Sequence, residues 1–228
     1  MKCSTPRPGF LIAIEGIDGA GKTTQCLRLQ GLLERWQQPV IRTKEPTSGQ
    51  WGQRLRDSAL TGRLSWKEEM DCLLKDRREH VEELIRPGLN AGKVVITDRY
   101  YFSTMAYQGA LGGNPLELMA VNEEFAPEPD LLVVLDLPPE VGLDRIRQRG
   151  DQANDFEKAA TLEQARAIFL GIEKSYKVTL NALDPLEDIR DEIFRLYMRI
   201  AVQRIADSGM GPREQLNATL ALFGAPPV

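Results

Sequence analysis

The sequence predicts an α/β protein of three α/β/α layers, in which a parallel sheet of about five strands is surrounded by helices. Three short apolar runs, rich in β-branched residues, have the character of strands buried on both faces: 10–14, 94–96 and 131–135. Helical stretches separate these runs along the chain, and this alternation is typical of a doubly wound sheet. A less apolar run at 40–43 predicts a further strand.

Apolar residues spaced three and four apart predict the main helices. The first should begin at Lys22 and end near Trp36. A longer helix should begin after Ser65, because Ser65 and Glu68 have the spacing of a capping box, and should weaken at Pro87. Further helices are predicted over three segments: 139–147, 162–180 and 186–206.

The carboxyl-terminal third of the chain has weaker patterns. Residues 176–184 form a short segment in which to fit both the end of a helix and a fifth strand. We therefore expect the fifth strand to be stunted, near 180–183. Residues 1–208 are expected to form a single domain. The segment 209–228, with Gly and Pro at both ends, is expected to be a loosely attached tail.

Composition limits the classes of function. The formal net charge of -4 argues against a protein that binds a nucleic-acid backbone. Three cysteines cannot pair evenly and lack metal-site spacing, which favours a reducing compartment. We see neither a signal peptide before the first strand nor an apolar run of about 18 residues, the length needed to span a bilayer. We therefore expect a cytoplasmic protein with no membrane partner.

Residues 16–23 fit the phosphate-binding pattern Gly-x-x-x-x-Gly-Lys-[Ser/Thr] and lie between a predicted strand and a predicted helix. The glycines let backbone N–H groups surround a phosphate, and the helix N-terminus adds partial positive charge. Lys22 would reach the β- and γ-phosphates of ATP, and the Thr23 hydroxyl would bind Mg²⁺. We expect nine residues to bind the nucleotide: Gly16, Ile17, Asp18, Gly19, Ala20, Gly21, Lys22, Thr23 and Thr24.

A second site is predicted at the carboxyl end of the strand near residue 96. The chain lacks the guanine-reading Asn-Lys-x-Asp of GTPases and is short for a motor, so a small kinase with an acceptor pocket remains. Asp98 and Arg99 lie where open α/β sheets bind ligands. Asp98 would hold Mg²⁺ through water, and Arg99 would neutralise an acceptor phosphate. The alternative for this pair is a surface ion pair at a strand end.

These motifs together resemble the thymidylate kinase family of P-loop nucleoside monophosphate kinases, which phosphorylate dTMP to dTDP with ATP. The resemblance covers roughly residues 10–200, in the family's order and spacing. It is carried by seven segments and one single residue: 15–25, 43–46, Arg77, 98–100, 103–109, 129–131, 135–136 and 145–150.

The resemblance implies roles for individual residues. Asp18 approaches the sugar 3′-hydroxyl and the acceptor phosphate, and Arg99 contacts the phosphate that attacks ATP. Arg77 and Thr104 address the edge of the thymine. Tyr107 packs under the sugar and disfavours a ribose 2′-hydroxyl. Four more residues complete the expected substrate-binding set: Glu45, Leu73, Ser103 and Gln108.

The resemblance also implies a lid, placed at about 147–158. No arginine lies among residues 17–20, so the lid would supply the arginine that stabilises the transferring phosphoryl group. The candidates are Arg145, Arg147 and Arg149, of which we favour Arg149 beside a flexible glycine. It would join Lys22, Arg99 and Asp18 as the catalytic set. The alternative is a solvated basic helix face.

Two departures from the family keep other functions open. Leu73 stands where the family usually has an aromatic residue, so a kinase for another or several pyrimidine nucleoside monophosphates is the first alternative. Residues 154–157 read Asn-Asp-Phe-Glu in place of the usual Asp-Arg-x-Glu, which leaves a non-catalytic nucleotide-binding paralogue as the second. The family also implies a homodimer, for which the helix after Ser65 is the usual surface.

Overall fold

The computed structural model describes residues 9–62, 64–148 and 155–226. Its centre is a five-stranded sheet in the order β2-β3-β1-β4-β5, and every neighbouring pair is parallel. The predicted three-layer α/β/α class is confirmed. The strands are β1 (Phe10–Glu15), β2 (Val40–Lys44), β3 (Val94–Asp98), β4 (Leu131–Asp136) and β5 (Lys177–Asn181).

Helices cover both faces of this sheet. A five-residue π-helical turn, Val81–Ile85, joins the third and fourth of them. In the described part of the chain they are α1 (Lys22–Arg35), α2 (Gln50–Thr61), α3 (Trp66–His80), α4 (Arg86–Asn90), α5 (Tyr101–Ala110), α6 (Pro115–Glu123), α7 (Pro139–Arg147), α8 (Asp155–Leu170), α9 (Leu186–Ala206) and α10 (Pro212–Leu222).

The core lies along the three central strands. Ile12 of β1 pairs in register with Ile96 of β3 and with Leu131 of β4, and all three side chains are fully buried. Strands buried on both faces are apolar throughout, which is why these three could be predicted from the sequence. The edge strands β2 and β5 are half exposed and have mixed composition.

Most of the predicted elements are confirmed. Strand β2 occupies the expected segment, and α7 and α9 have the predicted bounds. The capping box is also present, since the Ser65 side chain accepts from the backbone N–H of Glu68 and the Glu68 carboxylate accepts from that of Ser65. The long helix is interrupted at Val81 by the π turn, before Pro87.

The prediction for residues 162–180 was wrong. Helix α8 ends at Leu170, and β5 has five residues beginning at Lys177, so the fifth strand is not stunted near 180–183. The Lys177 ammonium donates to the Leu170 carbonyl oxygen at 2.6 Å and so satisfies the end of α8. Strand β5 carries a mixed apolar and polar sequence that does not distinguish an edge strand from a helix end.

The segment expected to be a tail contains α10, which was not predicted. The Phe223 ring lies 5.7 Å from the Trp36 ring of the α1 C-terminus, and the Gln38 amide donates to the Ala221 carbonyl oxygen at 3.0 Å. The division of the chain at residue 208 stays a prediction. Among the helices described, none combines the length and the apolar character needed to cross a bilayer.

Candidate active site

The loop between β1 and α1 has the backbone of a phosphate cradle. Gly21 has φ of +90° and Gly16 has φ of +136°, which side-chain-bearing residues rarely adopt. No side chain caps the N-terminus of α1, so its first N–H groups are available to an anion. The nine residues predicted to bind the nucleotide form this loop and the first turn of α1.

Helix α7 packs directly against this loop. A Cβ atom on Gly19 would lie 2.6 Å from the Gly142 carbonyl oxygen, and one on Gly142 would lie 2.6 Å from the Asp18 carbonyl oxygen. The backbones therefore touch directly, which only glycine allows at these two positions. Arg145 of the same helix donates to the Gly19 carbonyl oxygen at 3.0 Å.

The three lid candidates are placed differently. Arg145 also donates to the Ala182 carbonyl oxygen at 3.4 Å, so it links the phosphate loop to the loop after β5. Arg147 is exposed and forms an ion pair with Asp144 at 2.9 Å. Arg149 lies outside the described residues, as do residues 150–154 of the predicted lid, so its role stays a prediction.

Lys22 is buried and folds back over the phosphate loop. Its ammonium group donates to the Gly16 carbonyl oxygen at 3.0 Å and to the Ile17 carbonyl oxygen at 2.8 Å. Burial, together with the nearby charge of Arg99, lowers the pKa of Lys22 to about 8.

The predicted metal-binding oxygens are in contact with each other. Asp98 ends β3 beside Ile14 of β1, and its carboxylate accepts a hydrogen bond from the Thr23 hydroxyl. A hydroxyl and a carboxylate are ligand types that Mg²⁺ accepts. Within the ranges described, no cluster of three or more His, Cys, Asp or Glu residues could hold a metal ion. Mg²⁺ commonly needs only one or two protein ligands when it also binds substrate phosphates.

Arg99 connects the phosphate loop to the next part of the site. Its guanidinium pairs with the Asp18 carboxylate and donates to the Ser103 hydroxyl at 3.1 Å. The Tyr107 hydroxyl accepts from the backbone N–H of Asp18 at 3.0 Å, and the Arg99 guanidinium carbon lies 5.4 Å from the centre of the Tyr107 ring. The loop after β1 and the turn after β3 thus form one polar surface.

This surface opens into a cavity of about 210 Å³. All eight residues predicted to bind the substrate line it. Arg99 was predicted from its position at the end of a strand, and the other seven through the resemblance. Leu73 is among them, so the wall is aliphatic where the family usually has an aromatic ring. The lining residues are Asp18, Glu45, Pro46, Glu69, Leu73, Asp76, Arg77, Arg99, Tyr100, Ser103, Thr104, Tyr107 and Gln108.

Arg77 is held in the cavity wall by three acceptors. Its guanidinium contacts a Glu45 carboxylate oxygen at 2.6 Å and the Thr104 hydroxyl at 3.1 Å. It also donates to the Asn122 side-chain oxygen at 2.5 Å. Burial pushes the pKa of Glu45 upward, but Arg77 and His80 outweigh it and hold that pKa below its usual value.

Several supporting residues were not predicted from the sequence. Asn122 comes from α6 and is fully buried, yet no motif marks it. Asp76 accepts from the Thr47 backbone N–H at 2.8 Å and so holds the loop before α2. The Glu69 carboxylate accepts from the Gln108 amide at 2.9 Å, and Glu15 contacts the start of α5. Each of these contacts joins residues too distant in sequence for a local pattern to reveal.

The fold and the site together define the class of protein. In a small P-loop kinase, a phosphate-binding loop follows a buried strand, and an arginine connects this loop to a cavity at the same edge of the sheet. This protein has that arrangement. The family model described as thymidylate kinase matches residues 14–193. The chain belongs to the thymidylate kinase family and is a nucleoside monophosphate kinase.

Curated relatives agree over most of the chain. A thymidylate kinase of Xanthomonas campestris pv. campestris is 52% identical over 199 residues, which are 87% of this chain and 86% of the relative. One from Xanthomonas oryzae pv. oryzae is 47% identical over 217 residues, 95% of each chain. One from Xylella fastidiosa is 45% identical over 208 residues, 91% of this chain and 95% of the relative.

The contact between α7 and the phosphate loop gives a first prediction. In Gly142→Ala, the new methyl group must displace the Asp18 carbonyl, and overpacking of this kind costs about 1–3 kcal/mol. We expect ATP affinity to fall about tenfold, as measured by calorimetric titration. Gly31→Ala is the matched control, because a Cβ there meets no atom within 4 Å. Equal ATP affinity in the two variants would contradict this prediction.

Proposed function

We propose that this protein transfers the γ-phosphate of ATP to dTMP and releases dTDP and ADP. The observation that carries the proposal is the position of Arg99, which pairs with Asp18 of the phosphate loop and also lines the acceptor cavity. The Arg99 guanidinium is thereby available both to the phosphates of ATP and to the phosphate of dTMP. The relatives described above are named thymidylate kinases, which supports dTMP as the acceptor.

The reaction needs positioning more than proton transfer. The attacking group is a phosphate oxygen that is already anionic, so it requires no strong general base. The main obstacle is the repulsion between the triphosphate of ATP and the phosphate of dTMP, which Lys22 and Arg99 would offset. Thr23 and Asp98 would hold Mg²⁺, which neutralises charge on the phosphates when it is bound. Arg149 remains the proposed lid arginine.

Recognition of the base is assigned to the wall that contains Arg77. Glu45, Thr104 and Asn122 accept from its guanidinium and fix its orientation. Its terminal nitrogen beside Asn122 carries a second N–H, which suits a carbonyl oxygen of thymine. The aliphatic Leu73 then covers part of the base. The wider acceptor range that Leu73 left open is not favoured, because the curated relatives are named for thymidylate.

An acceptor panel tests this proposal. ADP release is measured with ATP and each of dTMP, dUMP, dCMP, dGMP and UMP in turn. We expect the highest kcat/KM with dTMP, by about tenfold or more over dCMP, because the site's N–H donor would face an amino group of cytosine. A higher kcat/KM with another acceptor would replace the proposed substrate. ATP binding without ADP release for any acceptor would favour a non-catalytic protein.

Two substitutions test the ATP side and the dTMP side of the site separately. We expect Lys22→Ala and Arg99→Ala each to lower kcat/KM for dTMP by about 10²–10³-fold, because each removes a cation that faces the transferring group. The loss in Lys22→Ala should include weaker ATP binding, and that in Arg99→Ala a higher KM for dTMP. Arg195→Ala is the control, since its side chain is 71% exposed and lies on α9. Near-normal turnover in either test variant would refute its assignment.

The depressed pKa of Lys22 leads to a further expectation. Near pH 8 about half of this lysine is neutral in the free protein, because its pKa is about 8. A bound phosphate favours the charged form and raises that pKa, so binding of Mg·ATP should take up about half a proton at pH 8 and fewer at pH 6.5. Calorimetry in buffers of different ionisation enthalpy measures this uptake. An equal uptake in Lys22→Ala would assign it to another group.

A further inference from the structure

The turn that carries Arg99 has an unusual backbone. Arg99 has φ of +70°, in the left-handed region that residues with a Cβ atom rarely occupy. Its backbone N–H donates to the Ile14 carbonyl oxygen at 3.0 Å, and its carbonyl oxygen accepts from the Thr97 hydroxyl at 2.6 Å. Such a conformation persists only where the surrounding contacts hold it.

Glu15 supplies three further contacts of this turn. It is the last residue of β1, and no part of it is exposed. Its carboxylate accepts from the backbone N–H of Tyr100 at 2.7 Å and from that of Ser103 at 3.0 Å. The other carboxylate oxygen accepts from the Ser103 hydroxyl at 2.6 Å. That hydroxyl oxygen in turn accepts from the Arg99 guanidinium at 3.1 Å.

We propose that Glu15 is a positioning residue for phosphoryl transfer, holding the turn at residues 99–103 and, through Ser103, the Arg99 guanidinium in register with the phosphate loop. This inference rests on the proposed function, in which Arg99 meets the acceptor phosphate. Glu15 directly precedes Gly16, so the residue just before the phosphate loop also binds the turn that follows β3. Movement of either loop is then transmitted to the other.

The surroundings of Glu15 require an acceptor at this position. All three of its partners donate to it, and the N-terminus of α5 has no side-chain cap from its own segment. The carboxylate therefore takes the place of a capping residue. Burial raises the pKa of Glu15 to about 7, against the opposing effects of Ser103, Arg99 and Lys22. Replacing the carboxylate should affect the turn more than the phosphate loop, whose own amides it does not contact.

Glu15→Gln tests the proposal while keeping the side-chain shape. One oxygen can still accept from the backbone, but the amide group now donates toward the Ser103 hydroxyl and competes with Arg99. We expect kcat at saturating ATP and dTMP to fall about 30-fold or more, because small misplacements at a reacting centre have effects of this size. The Kd for ATP should stay within about threefold, since the glycine cradle is unchanged.

Two further variants complete the design. Ser103→Ala removes the hydroxyl that joins Glu15 to Arg99 but keeps the two backbone N–H groups that donate to Glu15, and it should lower kcat about tenfold without weakening ATP binding. Asp130→Asn is the matched control, because Asp130 is likewise a carboxylate that accepts from a backbone N–H, that of Leu11 at 2.7 Å, but at the amino-terminal ends of the strands. Its kcat should be unchanged. A Glu15→Gln enzyme within threefold of the parent kcat, or one whose ATP affinity falls in parallel with kcat, would overturn the proposal.

Amide hydrogen exchange provides a readout that does not depend on activity. In nucleotide-free protein, Glu15→Gln should accelerate exchange of the Tyr100 and Ser103 amides about tenfold or more, with no change in β3. Unchanged exchange would overturn the proposal even if kcat fell. If the parent enzyme does not phosphorylate dTMP, the proposed function fails, while the exchange result still decides whether Glu15 holds the turn.

Discussion

The site must bring together two anions that repel each other, the triphosphate of ATP and the phosphate of the acceptor. The carboxyl ends of two parallel strands lie side by side, so that the turn after β3 faces the loop after β1 and cations from both can contact the phosphates. Strand β1 lies between β3 and β4, neither of which is its neighbour in sequence. The connection from β1 runs to β2 and that from the adjacent β3 runs to β4, in opposite directions along the sheet, and such a reversal of strand order opens a crevice at the carboxyl ends of the strands. Arg99 and Asp18 meet in that crevice, and their pairing joins the nucleotide loop to the acceptor cavity.

The same constraint explains why the phosphate loop is held so closely. The backbone N–H groups that bind a phosphate cannot also form hydrogen bonds within the loop. Contacts with the rest of the protein must therefore hold the loop in shape. Helix α7 supplies it through the contact between Gly19 and Gly142 and through Arg145. On the other side, the Tyr107 hydroxyl accepts from the Asp18 amide. The loop is therefore fixed by packing before any ligand binds, which reduces the reorganisation that binding requires.

The sequence could predict whatever depends on contiguous residues. The central strands are apolar throughout because both faces are buried, and the phosphate loop is a single run of eight residues, so both were recognisable. The boundary between α8 and β5 was misplaced because an edge strand with one exposed face has no distinctive composition. Asn122 meets Arg77 across 45 positions, and Glu15 meets Tyr100 across 85. Local spacing carries no information about such contacts, which arise only when the sheet assembles.

The two cations of the site are not interchangeable, and their difference follows from their chemistry. Burial pulls the pKa of Arg99 down, but the Asp18 carboxylate outweighs it and holds that pKa above its ordinary value, so this side chain stays charged. Lys22 has a compact ammonium, and burial lowers its pKa to about 8, so that a fraction of it is neutral near that pH. An anion in the phosphate loop favours the charged form. Arg99 thus provides a fixed positive charge for the acceptor side, whereas the charge of Lys22 depends in part on the nucleotide when the pH is near 8.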